Sequence, residues 1–184
     1  MNIKILPNVL SLLRVAMIPP FLMLFFAKDY ERALCLFFIM GVTDGLDGWL
    51  ARRLDSQSWW GSFLDPMADK ILVGCSFFSL AWVGMLPWWL VFLCFFRDIT
   101  LLLGVLVWYW LLGRQMFCFK PTYLGKFNTC VQLLLVVCCI TKLAILLPSS
   151  EWITVLIWVT ATTTSATYCD YAWTWGKKLC QRSD

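Results

Sequence analysis

The sequence predicts an all-α integral membrane protein with six spanning helices and a short amphipathic N-terminal lead. Three observations carry this. Hydrophobic residues make up 61% of the 184 positions and charged residues only 14%, whereas soluble domains run near 45–50% and about 25%. The apolar residues fall into six runs of roughly membrane length, since a spanning helix needs about 20 residues. Short polar or Pro/Gly turns separate the runs, so 1–184 reads as a single membrane domain with no room for a soluble one.

Ile3, Ile5 and Leu6 form the lead, and the first helix runs from about Leu10 to Phe26. Lys28, Asp29 and Glu31 mark the turn into the second, Ala33 to Ala51. The third runs from Gly61 to Val83 and stops at Gly84-Met85-Leu86-Pro87. The fourth is Trp88 to Leu112, followed by a polar loop holding Pro121. The fifth is Leu124 to Leu146. After Pro148, Ser150 is placed to cap the sixth, Trp152 to Trp175, with a basic tail beyond. Many of the 12 tryptophans stand where a run meets a turn, as interface anchors do.

Six spans put both termini on one side of the bilayer. That side carries Lys4, Arg52, Arg53, Arg114, Lys120, Lys126, Lys177, Lys178 and Arg182. The other carries Lys28, Arg32 and Lys142 beside Glu31 and Glu151. The positive-inside rule therefore places both termini in the cytoplasm or its equivalent. The first residues are too short and too weakly charged for a signal or transit segment. A bacterial inner membrane is the expected location. The net charge of +4 reports topology and anionic lipid, and the composition excludes a nucleic-acid partner.

There is no histidine, which removes His-based acid–base chemistry and His-ligated zinc. The nine cysteines contain no C-x-x-C pair and mostly sit in apolar runs, so they read as packing.

Ionisable groups at membrane depth mark function by default. Asp44 and Asp47 close the second helix, and Asp65 and Asp69 open the third. Each pair shares a helix face by its spacing, and a short connection makes the two helices neighbours. Four carboxylates together would repel and resist ionisation unless cations relieve them. All-oxygen ligation suits Mg²⁺, Mn²⁺ or Ca²⁺, and two such ions can clamp a diphosphate. Gly48 and Ala51, on the same side as the acids, let a ligand approach the backbone, and Arg52 can hold a phosphate. Capping by Asp65-Pro66 and ordinary ion pairing account for one or two acids, not four.

These residues read D-x-x-D-G-x-x-A-R-x8-G-x3-D-x3-D from Asp44 to Asp69, with every fixed position present. The pattern resembles the signature of the CDP-alcohol phosphotransferases, whose core is also six membrane helices. The resemblance implies transfer of a substituted phosphoryl group from a CDP-linked donor to an alcohol, with release of CMP. It implies that Asp44, Asp47 and Asp65 bind two divalent cations, Mg²⁺ or Mn²⁺. Asp69 would take the proton of the acceptor hydroxyl and also touch metal. Gly48, Ala51, Arg52, Ser58 and Gly61 would hold the donor, CDP-diacylglycerol. Asn8 and Ser11 match donor-contacting positions in the segment leading into the first helix. By family analogy a homodimer is possible.

Arg97-Asp98, deep in the fourth helix, reads either as a self-neutralising pair or as an acceptor-phosphate site centred on Arg97. Lys126 reads either as interface snorkelling or as a second phosphate contact. Relatives that take glycerol 3-phosphate carry a further Arg eight residues after the first, where this chain has Val105. The stretch Lys120-Pro121-Thr122 to Gln132 and the run Thr162 to Tyr168 instead resemble the branch whose acceptor is phosphatidylglycerol. Phosphatidylglycerol is thus the expected acceptor and glycerol 3-phosphate the alternative. A cation transporter also carries membrane acids, but it would place them near mid-membrane and often shows repeated halves. No repeat is visible here.

Overall fold

The computed structural model describes residues 6–54, 59–112 and 123–180, and side chains over 13–43, 70–101, 103 and 124–170. It is all-helical, with no strand among the described residues. The helices are α1 (Leu6–Phe26), α2 (Tyr30–Leu54), α3 (Trp59–Trp82), α4 (Trp88–Leu112), α5 (Tyr123–Ile145) and α6 (Ser150–Cys180).

Most boundaries fall within a few residues of expectation, and α4 falls on it. Three differ for physical reasons. The lead is partly absorbed into α1, because Pro7 is pre-set for a first helical turn. α2 extends at both ends, with Asp29 as its N-terminal cap: the Asp29 carboxylate accepts from the Arg32 amide at 3.4 Å and pairs with the Arg32 guanidinium at 3.2 Å. α6 runs on to Cys180 through what the sequence suggested was a tail. Lys177 and Lys178 sit in its last turn, where cations favour the helix dipole.

Two of the helix ends are closed by Schellman turns. Lys28 takes φ 62°, with Lys28 N–H donating to Phe25 O and Asp29 N–H to Leu24 O. Gly84 takes φ 81°, with Gly84 N–H donating to Ala81 O and Met85 N–H to Leu80 O. α5 ends more simply. Leu146, at φ 60°, donates its amide to Lys142 O just before the cis Leu147–Pro148 bond.

The helices cluster into two units, 1–85 with 136–149, and 86–135 with 150–184. In the first, α1 packs against both α2 and α3. Phe21, Phe25, Phe37, Ala33 and Met40 are buried there, with Phe21 and Phe37 ring centroids 5.8 Å apart and Phe25 edge-on to Tyr30 at 5.5 Å. In the second, α4 packs against α6. Trp89 meets Trp158 at 5.7 Å and Phe96 meets Tyr168 at 6.3 Å, so these helices run in the same direction.

Burial is partly inverted relative to a soluble protein. Met23, Phe38, Trp82, Phe92, Phe96, Trp152 and Trp158 are exposed, while Arg14, Arg97, Asn128, Gln132, Thr160, Thr164 and Thr167 are buried. Leu124–Ile145 is long and apolar enough to cross a membrane among the described residues, and Leu13–Phe26 and Lys70–Trp82 are shorter apolar stretches.

Candidate functional site

The signature residues occupy the end of one helix and the start of the next along the chain. Asp44, Asp47, Gly48, Ala51 and Arg52 lie in the last turns of α2, and Gly61, Asp65 and Asp69 in the first turns of α3. The spacing puts Asp44 and Asp47 about 4.5 Å apart along one helix axis, and Asp65 and Asp69 about 6 Å along the other. α3 begins at Trp59, so Asp65 lies inside the helix and is not its cap. That removes the capping explanation for this acid. Both helices share α1 as a neighbour, and α1 also carries Asn8 and Ser11. The side chains of these acids and donor residues, and Ser58 altogether, lie outside the described residues. Among the described residues no group of three metal-ligating side chains forms. The donor set of the motif, four carboxylates without histidine or cysteine, suits hard divalent cations.

The acceptor candidates are resolved in side-chain detail. Arg97 is 7% exposed, and its Nη1 donates to Asp98 Oδ1 at 2.7 Å. The self-neutralising pair read from the sequence is therefore present. Arg97 Nε is buried without a hydrogen-bond partner among the described residues. Lys126 is exposed near the start of α5.

Sequence reasoning did not place Asn128, Gln132, Cys94 and Thr164 together. Gln132 Nε2 donates to Cys94 Sγ at 3.4 Å. Cys94 Sγ and Thr164 Oγ1 are 3.9 Å apart. Thr164 Oγ1 donates to Asn128 Oδ1 at 3.0 Å, and Thr163 Oγ1 lies 2.8 Å from the same oxygen. Each hydroxyl or thiol has one proton. Used once each, they run one way: amide to sulfur, thiol to Thr164, hydroxyl to Asn128. Cys94 is thus a hydrogen-bonding member of the core rather than mere filler. The remaining arm of the Asn128 amide, Nδ2, is buried without a hydrogen-bond partner among the described residues. The available signal was the i,i+4 spacing of Asn128 and Gln132 in an otherwise apolar helix.

The other buried hydroxyls satisfy themselves locally. Thr160 donates to Leu156 O at 2.7 Å, Thr167 to Thr164 O at 2.7 Å, and Ser76 to Leu72 O at 2.8 Å. Back-bonding of this kind lets hydroxyls sit in an apolar environment.

An all-helical chain with an intact acid signature on two consecutive helices defines the class. The CDP-alcohol phosphatidyltransferase family model matches residues 4–165, and the chain belongs to that family. It is 34% identical to a human cardiolipin synthase (CMP-forming) over 190 residues, covering 96% of this chain and 63% of the relative. It is 33% identical over 189 residues to a chloroplastic CDP-diacylglycerol–glycerol-3-phosphate 3-phosphatidyltransferase of rice, covering 90% of this chain and 55% of the relative. It is 35% identical over 128 residues to the corresponding 3-phosphatidyltransferase of Aquifex aeolicus, covering 67% and 68%. The chain thus spans less than two thirds of the human and rice proteins.

Proposed function

We propose that this chain is a membrane phosphatidyltransferase that moves the phosphatidyl group of CDP-diacylglycerol to phosphatidylglycerol, giving cardiolipin and CMP. The single observation that carries the transfer chemistry is the unbroken Asp44-to-Asp69 signature, at the end of α2 and the start of α3, in a chain of this family.

In this reading Asp44, Asp47, Asp65 and Asp69 hold two divalent cations, Mg²⁺ or Mn²⁺. When bound, these neutralise the diphosphate and make CMP a better leaving group. Gly48, Ala51 and Gly61 give the donor a close approach to backbone. Arg52, Ser58, Asn8 and Ser11 hold its polar head. Asp69 accepts the proton of the acceptor's primary hydroxyl as that oxygen attacks the phosphorus bearing diacylglycerol. The phosphorus–oxygen bond to CMP breaks and the proton remains on Asp69.

The acceptor assignment is supported by the similarity to a cardiolipin synthase over nearly the whole chain. It is supported also by one buried guanidinium, already shared with Asp98, where a doubly charged phosphate would call for more cation. The rice and Aquifex relatives favour glycerol 3-phosphate as the second reading.

Six spanning helices are supported by the inverted burial, which leaves large apolar side chains facing outward on each helix with described side chains. The lysine and arginine distribution supports both termini and the site on the cytoplasmic side. A homodimer belongs to the same reading by family analogy.

The test uses purified protein in detergent with CDP-diacylglycerol and Mn²⁺ or Mg²⁺. Phosphatidylglycerol or glycerol 3-phosphate is added in parallel, and the lipid product is identified by mass spectrometry. Cardiolipin is the expected product. Phosphatidylglycerophosphate alone sinks the acceptor assignment. CMP release no higher than that of Asp69→Asn sinks both.

A further inference from the structure

The second unit holds two buried hydrogen-bond donors that its own packing does not use. Asn128 is fully buried and Arg97 is 7% exposed. Nδ2 of the first and Nε of the second lack a hydrogen-bond partner among the described residues. A buried donor left unsatisfied costs on the order of 1–3 kcal/mol, and native cores rarely keep one without a reason.

The two donors are not scattered. Arg97 stands one helical turn from Cys94 on α4, and Asn128 one turn from Gln132 on α5. Cys94 and Gln132 are hydrogen-bonded to each other. Thr164 of α6 touches both Cys94 and Asn128. Both donors therefore stand within a turn of one polar layer. That layer also sets the amide's orientation. Thr164 has a single proton and gives it to Oδ1, so the oxygen faces α6 and Nδ2 takes the other arm. Arg97 is oriented too, since Nη1 is held by Asp98 and Nε lies on another edge of the guanidinium.

We infer that Asn128 is a further acceptor-binding and specificity-determining residue, whose Nδ2 donates with Arg97 Nε to the phosphodiester oxygens of the acceptor headgroup. The inference rests on the phosphatidyltransferase reading and adds to it. With Arg97 already paired to Asp98, the site offers hydrogen bonds but little net positive charge, so a phosphodiester with one negative charge is less costly to bury there than a phosphomonoester with two. Asn128 thus discriminates by supplying a hydrogen bond without adding charge.

The test is binding of short-chain dihexanoylphosphatidylglycerol and, separately, of CDP-diacylglycerol with Mg²⁺, to detergent-solubilised wild type and variants. Asn128→Asp keeps the shape and Oδ1 but replaces the donor with a charged oxygen. It is expected to weaken dihexanoylphosphatidylglycerol binding by roughly 10- to 100-fold, the range for losing a hydrogen bond to a charged group. Donor binding is expected to stay within about twofold, a split that a merely structural role would not produce. Asn128→Lys is expected to shift preference toward glycerol 3-phosphate. Should Asn128→Asp fail to fold, the double variant Thr163→Val with Thr164→Val carries the test. It leaves Asn128 in place but removes both hydroxyls that hold Oδ1, and a several-fold loss of dihexanoylphosphatidylglycerol affinity alone is expected. Unchanged acceptor affinity in the folded variant overturns the inference, and so does equal loss of donor and acceptor. A wild type that binds glycerol 3-phosphate and not dihexanoylphosphatidylglycerol overturns the acceptor reading itself, and the single-charge argument with it.

Discussion

The end of α2 with the start of α3, and the polar layer of α4, α5 and α6, announce themselves in opposite ways. The first is written as a spacing: acids at i,i+3 and i,i+4 on two consecutive helices. Regular helices convert that spacing directly into shared faces, so the chemistry is legible from the chain alone. The second is built from Cys94, Arg97, Asn128, Gln132 and Thr164, which span three helices and have no fixed spacing between them. Only packing brings them together. A reaction common to a family can be carried by a local motif, whereas a choice among acceptors can be made by residues that meet only in the tertiary fold.

The contrast breaks most visibly if the acids are dispensable. Chelation with EDTA is expected to abolish CMP release, with recovery on adding Mn²⁺ or Mg²⁺. Asp44→Asn or Asp69→Asn is expected to lower turnover by about 10²–10⁴-fold with helical content by circular dichroism unchanged. Turnover that survives either treatment removes the first region from the chemistry. Next in size, Arg97→Gln is expected to raise KM for phosphatidylglycerol by about 10–100-fold, with KM for CDP-diacylglycerol little changed. A fall in kcat for every acceptor, at constant KM, would instead mark Arg97 as purely structural.

Smaller effects separate packing from function. Thr160→Val removes a hydroxyl bonded only to its own helix at Leu156 O. It is expected to change thermal stability in detergent by less than about 1 kcal/mol. A methyl group added at Gly41 of α2 would meet nothing within 4 Å. Gly41→Ala is therefore expected to stabilise that helix by up to about 1 kcal/mol, with activity unchanged. Leu146→Gly should relieve a left-handed residue at the end of α5, a gain of about 1 kcal/mol. A loss of melting temperature in either variant would mean that the turn or the helix is held by something else.

Six helices could be read from six apolar runs because each connection carries either a Gly/Pro breaker or a cluster of charged and polar residues such as Lys28-Asp29. Gly84 and Pro87 bracket the α3–α4 turn, and Pro148 precedes α6. The end of α6 was not legible for the converse reason. Gly176 is its only nearby breaker, and a helix already fixed by packing passes through one glycine at small cost. The pairing of Arg97 with Asp98 was legible as adjacent opposite charges. The orientation of the Asn128 amide was not, because it depends on protons donated from α6. Lys126 illustrates the same limit. Near Asn128 in sequence, it stands on an exposed part of α5, since two residues along a helix turn the chain by about 200°.

The Gln132–Cys94–Thr164 layer makes its sulfur a gauge of distance. Its two contacts span 3.4 and 3.9 Å, where an oxygen in the same place would want partners at about 2.8 Å and sits on a shorter bond to its own carbon. Cys94→Ser would thus keep every donor and acceptor yet leave each bond stretched unless α4 moved toward its neighbours. Such a variant would test whether the width of this interhelical gap, apart from the chemistry lining it, decides which lipid headgroup the unit admits.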